Sequence, residues 1–285
     1  TERDPFRNSA VAAGVTEVNS SKLHSLKRAI NIVSDPDQNQ YNVVTMPGVT
    51  IPAATNYLLE KTEERGDALA IIDLEKIYTA DTENTSSSAD RNSFTIKQAT
   101  DALKARNINN SYGAAYAPWV QIQDTISNRL IWAPPSIAAL GALSSNDRVA
   151  APWFAPAGFT RGGLSEGAAG LPVLDVSKRL SSEDRDDLYE AGINPIAKFP
   201  AEGIVIFGQK TLQQTASALD RINVRRLLVF LKREISFIAS RLLFAQNNQD
   251  TWNRFLQQAT PVLESVKAQF GIDDFRLILD ETTTT

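Results

Sequence analysis

The sequence predicts an α/β fold that passes into a helix-rich α+β arrangement with a small sheet in its C-terminal part. Three observations predict it. Strand-like and helix-like segments alternate through the first half of the chain, the pattern of parallel crossover units. One strand, "ALAIIDLE" (Ala68–Glu75), is apolar almost throughout, as a strand covered on both faces must be. Two long amphipathic stretches, about Ser217–Gln246 and Thr251–Phe270, then follow late in the chain.

In chain order, "KLHSLKRAINIV" (Lys22–Val33) reads as a helix and "SDPDQNQ" as the turn after it. "YNVVTM" (Tyr41–Met46) is rich in β-formers and stops at Pro47-Gly48. "AATNYLLEKTEERG" (Ala53–Gly66) is a helix closed by glycine. The polar run Thr79–Ser93 is expected to be a surface loop. "FTIKQATDALKARN" (Phe94–Asn107) is helical and "SYGAAYAPWVQIQ" (Ser111–Gln123) strand-like. A proline opens the helix Pro134–Arg148. The Gly-, Pro- and Ala-rich connector Ala151–Pro172 suggests two domains, residues 1–148 and 149–285. Beyond it, "LPVLDVSKRL" leads into Ser181–Gly192, a helix with a serine cap, early acids and a glycine stop. "GIVIFG" (Gly203–Gly208) is a short buried strand, "DDFRLILD" (Asp273–Asp280) a closing strand and "ETTTT" a polar tail. There is no internal repeat.

Composition narrows the chemistry. The 285 residues carry a net charge of −4, with a pI of about 5.2 and 42% hydrophobic residues, as a globular protein does. Without cysteine there are no disulfides, thiolate metal sites or cysteine nucleophiles. The apolar runs are shorter than the ~20 residues of a membrane helix, and the first residues do not have the pattern of a signal peptide. Thr1 opens the chain and Met46 is its only methionine, so it reads as a piece of a longer protein.

One segment runs against the acidic balance. Asp220–Arg241 holds six Arg/Lys and two acids, a local charge of +4. Leu228, Leu231, Ile235, Ile238 and Leu242 recur at helical spacing and are expected to form its buried stripe, with Phe230, Phe237 and Phe244 beside it. Arg225, Arg226, Lys232 and Arg233 then fall on the opposite side, facing water, nucleic acid, a membrane or an acidic protein. Arg225 and Arg226 have a second reading, as planar forks that brace loops inside the fold.

Motifs that suggest catalysis lack their context. "GLSEG" (Gly163–Gly167) matches the nucleophile elbow, but no strand precedes it and the one histidine, His24, lies far upstream. His24 itself sits beside Leu23 and Leu26 and reads as a structural residue. "GIVIFGQKT" (Gly203–Thr211) approaches a phosphate-binding loop, but its lysine is one place late and its interior is a strand. Asp186-Asp187 and Asp273-Asp274 are sequence neighbours whose side chains diverge, and no loop spacing supports a carboxylate metal site.

Four segments in series carry a resemblance: "APWFAPAGFTRGG" (Ala151–Gly163), "DLYEAGINPI" (Asp187–Ile196), "GIVIFGQKTL" (Gly203–Leu212) and "DRINVRRLLVFLKREI" (Asp220–Ile235). Their core residues are Pro156, Ala157, Gly158, Arg161, Gly162, Asn194, Pro195, Gly208 and Asn223–Leu227. Together they resemble the C-terminal region of contractile tail sheath proteins of bacteriophages. "VVTMPGVTIP" (Val43–Pro52) and "LAIIDLE" resemble the end of the preceding α/β domain, which in that family is an open, helix-flanked sheet of subtilisin-like fold.

The resemblance implies a structural subunit, not an enzyme, with no cofactor. It implies stacked hexameric rings around a tail tube, contracting to drive the tube through the host envelope, with baseplate and tail terminator proteins as further partners. It places the protein in the virion tail, assembled in the host cytoplasm. Arg225, Arg226, Lys232 and Arg233 would meet acids of the tube or a neighbour. Pro156, Gly158, Arg161, Gly162, Asn194, Pro195, Gly208 and Asn223 would be structural. Family members continue into arms that add strands to neighbouring subunits. This chain, which stops before such an arm, is therefore expected to be a monomer with an open edge near Phe275–Leu279. The alternatives are a nucleic-acid-binding protein acting through residues 220–241, against which the low pI weighs, the sheath of a related contractile injection machine, and an α/β hydrolase. No membrane insertion is expected.

Overall fold

The structure, a computed structural model, describes residues 20–75, 77, 95–124, 126, 128–165 and 172–279. The expected loop Thr79–Ser93 and the "ETTTT" tail lie outside the described residues.

Three helix–strand units build the first half. Helix α1 (Ser21–Val33) leads to β1 (Val43–Thr45), α2 (Pro52–Arg65) to β2 (Leu69–Ile72), and α3 (Ile96–Lys104) to β3 (Gly113–Ala117). Local chemistry sets the ends. Ser20 caps α1 through its hydroxyl, Gly66 closes α2, and Thr95 with Gln98 forms a capping box on α3. Strands β4 (Val120–Asp124) and β5 (Arg129–Ala133) form a hairpin, followed by α4 (Pro135–Val149), the short α5 (Gly158–Arg161) and β6 (Val173–Val176). Helix α6 (Ser182–Glu190), capped by a Ser181/Asp184 box, precedes β7 (Ile193–Phe199) and β8 (Gly203–Ile206). A 3-10 turn (Ala218–Asp220) introduces α7 (Ile222–Ser240), and α8 (Gln249–Ala268) packs against it.

Five strands form the main sheet in the order β1-β2-β3-β7-β8, parallel except for the final β7–β8 pair. A smaller antiparallel sheet runs β5-β4-β6. Side chains alternate along β2 and β3, so the main sheet has two apolar faces. Leu69, Ile71, Ala114 and Tyr116 meet α4, the small sheet and Ile222 of α7. Ala70, Ile72, Ala115 and Ala117 meet α1, α2, α3 and Leu188 of α6. A third, smaller cluster joins Trp153 and Leu227 to Val266 of α8.

Three expectations need correction, and one strand is added to them. The main sheet crosses the boundary expected at 148/149, because β7 and β8 complete what β1–β3 begin. Ser111–Gln123 is two strands in different sheets, since Pro118 has no N–H with which to continue a ladder. Strand β7, which is not among the segments read from the sequence, contains Asn194-Pro195. The Asn194 side chain donates to Ala115 O (3.0 Å) and Lys210 O (2.8 Å) and accepts from Lys210 N (2.6 Å), so its amide joins β3, β7 and the segment after β8. Finally, Asp273–Leu279 is not a strand. Residues 274–279 alternate between exposed and half-buried, but no neighbour forms a ladder with them among the described residues.

The outer edge of β8 is sealed by the segment after α5. Leu164 N donates to Ile204 O (2.8 Å), Ile206 N to Gly162 O (2.8 Å), and Ile204 N to Ser165 Oγ (2.8 Å). Asn194→Ala removes the partner of one buried and two part-buried backbone groups, so it is expected to destabilise the fold by about 2–3 kcal/mol, read from the denaturant midpoint.

Candidate interaction surface

Helix α7 is anchored by Ile222, which is fully buried in the core face beside α4. From there the helix crosses the N-terminal ends of the parallel strands. Ser111 and Tyr112 stand just before β3, Arg65 just before β2, and Asn42 just before β1. Arg225 donates to Ser111 Oγ and lies 4.0 Å above the Tyr112 ring. Burial lowers its pKa, while Tyr112 and Glu63 pull it back up. Arg226 forms an ion pair with Asp147 Oδ2 near the end of α4. Lys232 Nζ donates to Arg65 O (3.2 Å), the last residue of α2. Arg233 lines a cleft with Asn42, Pro152 and Glu234 and makes no ion pair among the described residues.

This overturns the expected orientation for Arg225, Arg226 and Leu228 and matches the second reading of the two arginines as internal forks, while Ile238 is buried and Lys232 exposed as expected. Arg225 and Arg226 are 6% and 3% exposed, on the buried side of α7 with Ile222 and Val229. Leu228, expected inside, is 41% exposed, and Phe237 and Phe244 are exposed beyond it. The reason lies in what α7 packs on. Strand ends and helix C-termini offer carbonyls, hydroxyls and a carboxylate, which suit guanidinium forks better than leucine. Apolar periodicity cannot register a buried arginine whose partner is far away in sequence.

The opposite end of the sheet is also closed. Open α/β sheets bind ligands outside the C-terminal ends of their strands. Here Asp73, just beyond β2 and 1% exposed, accepts from Gly48 N (2.8 Å), Ser136 N (3.2 Å) and Ser136 Oγ (2.8 Å). Burial raises its pKa and these donors oppose the rise. The Asp73–Ser136 pair sits out of reach of solvent, with no histidine beside it, and serves as a staple between β2 and α4.

The suspected catalytic motifs have structural explanations. Ser165 Oγ accepts from Ile204 N, and the amides of Ile204 and Ile206 are engaged around β8. Lys210 Nζ lies 4.4 Å over the Tyr189 ring. His24, expected to be structural, is exposed on α1. Asp274 pairs with Lys267 (2.8 Å). Among the described residues no three His, Cys, Asp or Glu residues gather as metal ligands, and no helix is long and apolar enough to cross a membrane.

The remaining motif residues shape the connector. Pro156 is buried and Gly158 opens α5. Arg161 Nε donates to Ala155 O (3.0 Å), with its guanidinium 5.2 Å from the Phe154 ring. A side chain on Gly162 would start 2.6 Å from Ile206 O, and one on Gly208 would start 2.9 Å from Pro195 Cδ; both positions exclude a Cβ. Asn223 Nδ2 donates to Trp153 O (3.4 Å).

Fold and surface together define an α/β scaffold: a parallel sheet covered on both faces, closed at the strand ends that α7 and Asp73 occupy. The model of the phage tail sheath protein central domain matches residues 26–212, and the chain belongs to that family. It is 37% identical over 176 residues to the tail sheath protein of Vibrio phage KVP40, covering 62% of this chain and 25% of that protein. It is 32% identical over 179 residues to the tail sheath protein of Enterobacteria phage T4, covering 63% and 26%. The chain thus spans about a quarter of the length of these relatives. Its fold matches a sheath complex of an extracellular contractile injection system in the contracted state (TM-score 0.65, 23% identity, 90% of this chain and 62% of that one). It also matches a chain of the anti-feeding prophage baseplate (TM-score 0.62, 19% identity, 94% and 62%).

Arg226→Ala leaves Asp147 without its cation in a largely buried setting, so a loss of about 2–4 kcal/mol is expected in denaturant unfolding. Arg233→Ala is expected to change stability by less than about 0.5 kcal/mol. Ser165→Ala removes one hydrogen bond to Ile204 N, for a loss of about 1 kcal/mol, and a serine-hydrolase probe is expected to leave Ser165 unlabelled.

Proposed function

We propose that this chain is the structural core of a contractile tail sheath subunit, which polymerises as stacked hexameric rings around a tail tube and contracts to drive the tube through the host envelope. The observation that carries the reading is the family match over residues 26–212, laid on a sheet whose two ends are taken up by internal contacts. Such a scaffold suits a part that works through its surfaces and holds no small molecule. In this reading the protein is not an enzyme, belongs to the virion tail and assembles in the host cytoplasm. Baseplate, tube and terminator proteins are its partners besides its own copies. The fold-level likeness to injection-system sheaths suits the same mechanical role in a related machine.

Of the basic residues, Arg225 and Arg226 act as internal braces and Lys232 caps α2, which leaves Arg233 as the best candidate for an acid of the tube or of a neighbouring subunit. One exposed ion pair contributes only ~0.2–1 kcal/mol, so a single contact releases easily while many in register hold. A nucleic-acid-binding role through α7 is disfavoured, because two of the six cations of residues 220–241, Arg225 and Arg226, are engaged inside the fold and the chain as a whole is acidic.

The full-length protein co-expressed with its tube protein is expected to form hollow, tube-filled cylinders in electron micrographs; dispersed subunits under all conditions would refute the reading. Arg233→Glu is expected to keep the wild-type melting temperature and give fewer cylinders.

A further inference from the structure

The cleft that Arg233 enters lies between α7 and the turn at Pro152 and encloses about 230 Å³. Arg226 lines it too. One terminal nitrogen of Arg226 bonds Asp147, but the other, Nη1, has no partner although the side chain is only 3% exposed. A buried donor without an acceptor is costly; Nη1 is shut off from solvent as it stands and Asp147 Oδ1 lacks a donor too, so a guest oxygen bonds Nη1 only where the Arg226 side chain turns toward the cleft. Arg233 contributes a second guanidinium, and paired guanidinium forks match a carboxylate in shape. The charge around the cleft disfavours a doubly charged guest. Arg226 and Arg233 are balanced by Asp147 and Glu234, so the sum is zero and a phosphate dianion would meet two acids. Val229, Phe230 and Pro152 supply an apolar wall for the methylenes of an acidic side chain.

The chain carries a complementary surface. Helix α6 holds five acids (Glu183, Asp184, Asp186, Asp187, Glu190) and one base (Arg185), a net charge of −4. Glu183, Asp186, Asp187 and Glu190 are exposed and make no ion pair among the described residues. Helix α6 packs on the sheet face shared with α1, α2 and α3, whereas α7 enters from the face of α4. The acidic helix and the cleft therefore sit on opposite faces of one molecule. A second copy brings them together, and a head-to-tail contact of this kind propagates into rings or helices.

We propose that the Arg226/Arg233 cleft receives a carboxylate from helix α6 of a second copy of this chain. The proposal rests on the sheath reading for the self-association it needs. The chain contains no cysteine, so introduced thiols report without background. In the full-length protein, an Arg233→Cys chain is mixed separately with Glu183→Cys, Asp186→Cys, Asp187→Cys and Glu190→Cys chains, and a short bismaleimide is added after assembly. A crosslinked dimer is expected from at least one mixture, and none from Arg233→Cys mixed with Ser21→Cys on α1. Arg233→Glu is expected to raise the concentration required for assembly about tenfold. Changing the crosslinking α6 acid to lysine in the same chain is expected to bring it back to within about threefold. Assemblies that form without an α6 crosslink, or a charge exchange that restores nothing, overturn the contact and leave the sheath reading standing. Wild-type protein that never assembles overturns both.

Discussion

In a parallel sheet built from crossover units, every helix runs back so that its C-terminal end arrives where the next strand begins. The carbonyl ends of α2 and α3 therefore collect at the rim where β2 and β3 start, and each carries partial negative charge. That rim must be given cations or left to water. Helix α7 supplies the cations: Arg225 at the start of β3, Lys232 on the last residue of α2, and Arg226 reaching across to Asp147. The basic segment of an acidic chain is thus mainly an internal counter-charge. The burial of α7, the docking of α8 against it and the position of the Arg233 cleft all depend on that match.

The two ends of the sheet are closed by opposite means. At the strand starts, cations from one helix meet carbonyls and a carboxylate. At the strand finish, a lone carboxylate, Asp73, meets amides and a hydroxyl at the first turn of α4. Both seals use hydrogen bonds between residues far apart in sequence, and the Asp73 seal takes up space where open α/β sheets bind ligands. A fold with the layout of an enzyme here fills that space with its own side chains.

Much of the architecture was legible in the residues. The apolar run around Leu69–Ile72, the glycine after α2, the proline opening α4 and the serine box on α6 are local signals, and local signals mark helices and buried strands well. Contacts between distant residues were not legible. Strand β7 hides behind Asn194-Pro195 because the asparagine finds its partners on β3 and after β8. Arg225 and Arg226 read as surface because Ser111, Tyr112 and Asp147 lie far away in sequence. The suggested domain boundary failed for a related reason. A Gly- and Pro-rich connector looks like a hinge, yet here Gly162–Ser165 is folded onto β8 as an edge seal.

That seal bears on how the molecule behaves in a crowd. One margin of the main sheet is the three-residue β1, too short to template a long ladder, and the other is already hydrogen-bonded to its own chain. Copies pressed side by side at very high local concentration are thereby kept from merging their main sheets into a continuous ribbon. At the main sheet, neighbours are left to meet through side chains, and side-chain contacts can slide, exchange partners and form again without any molecule having to unfold.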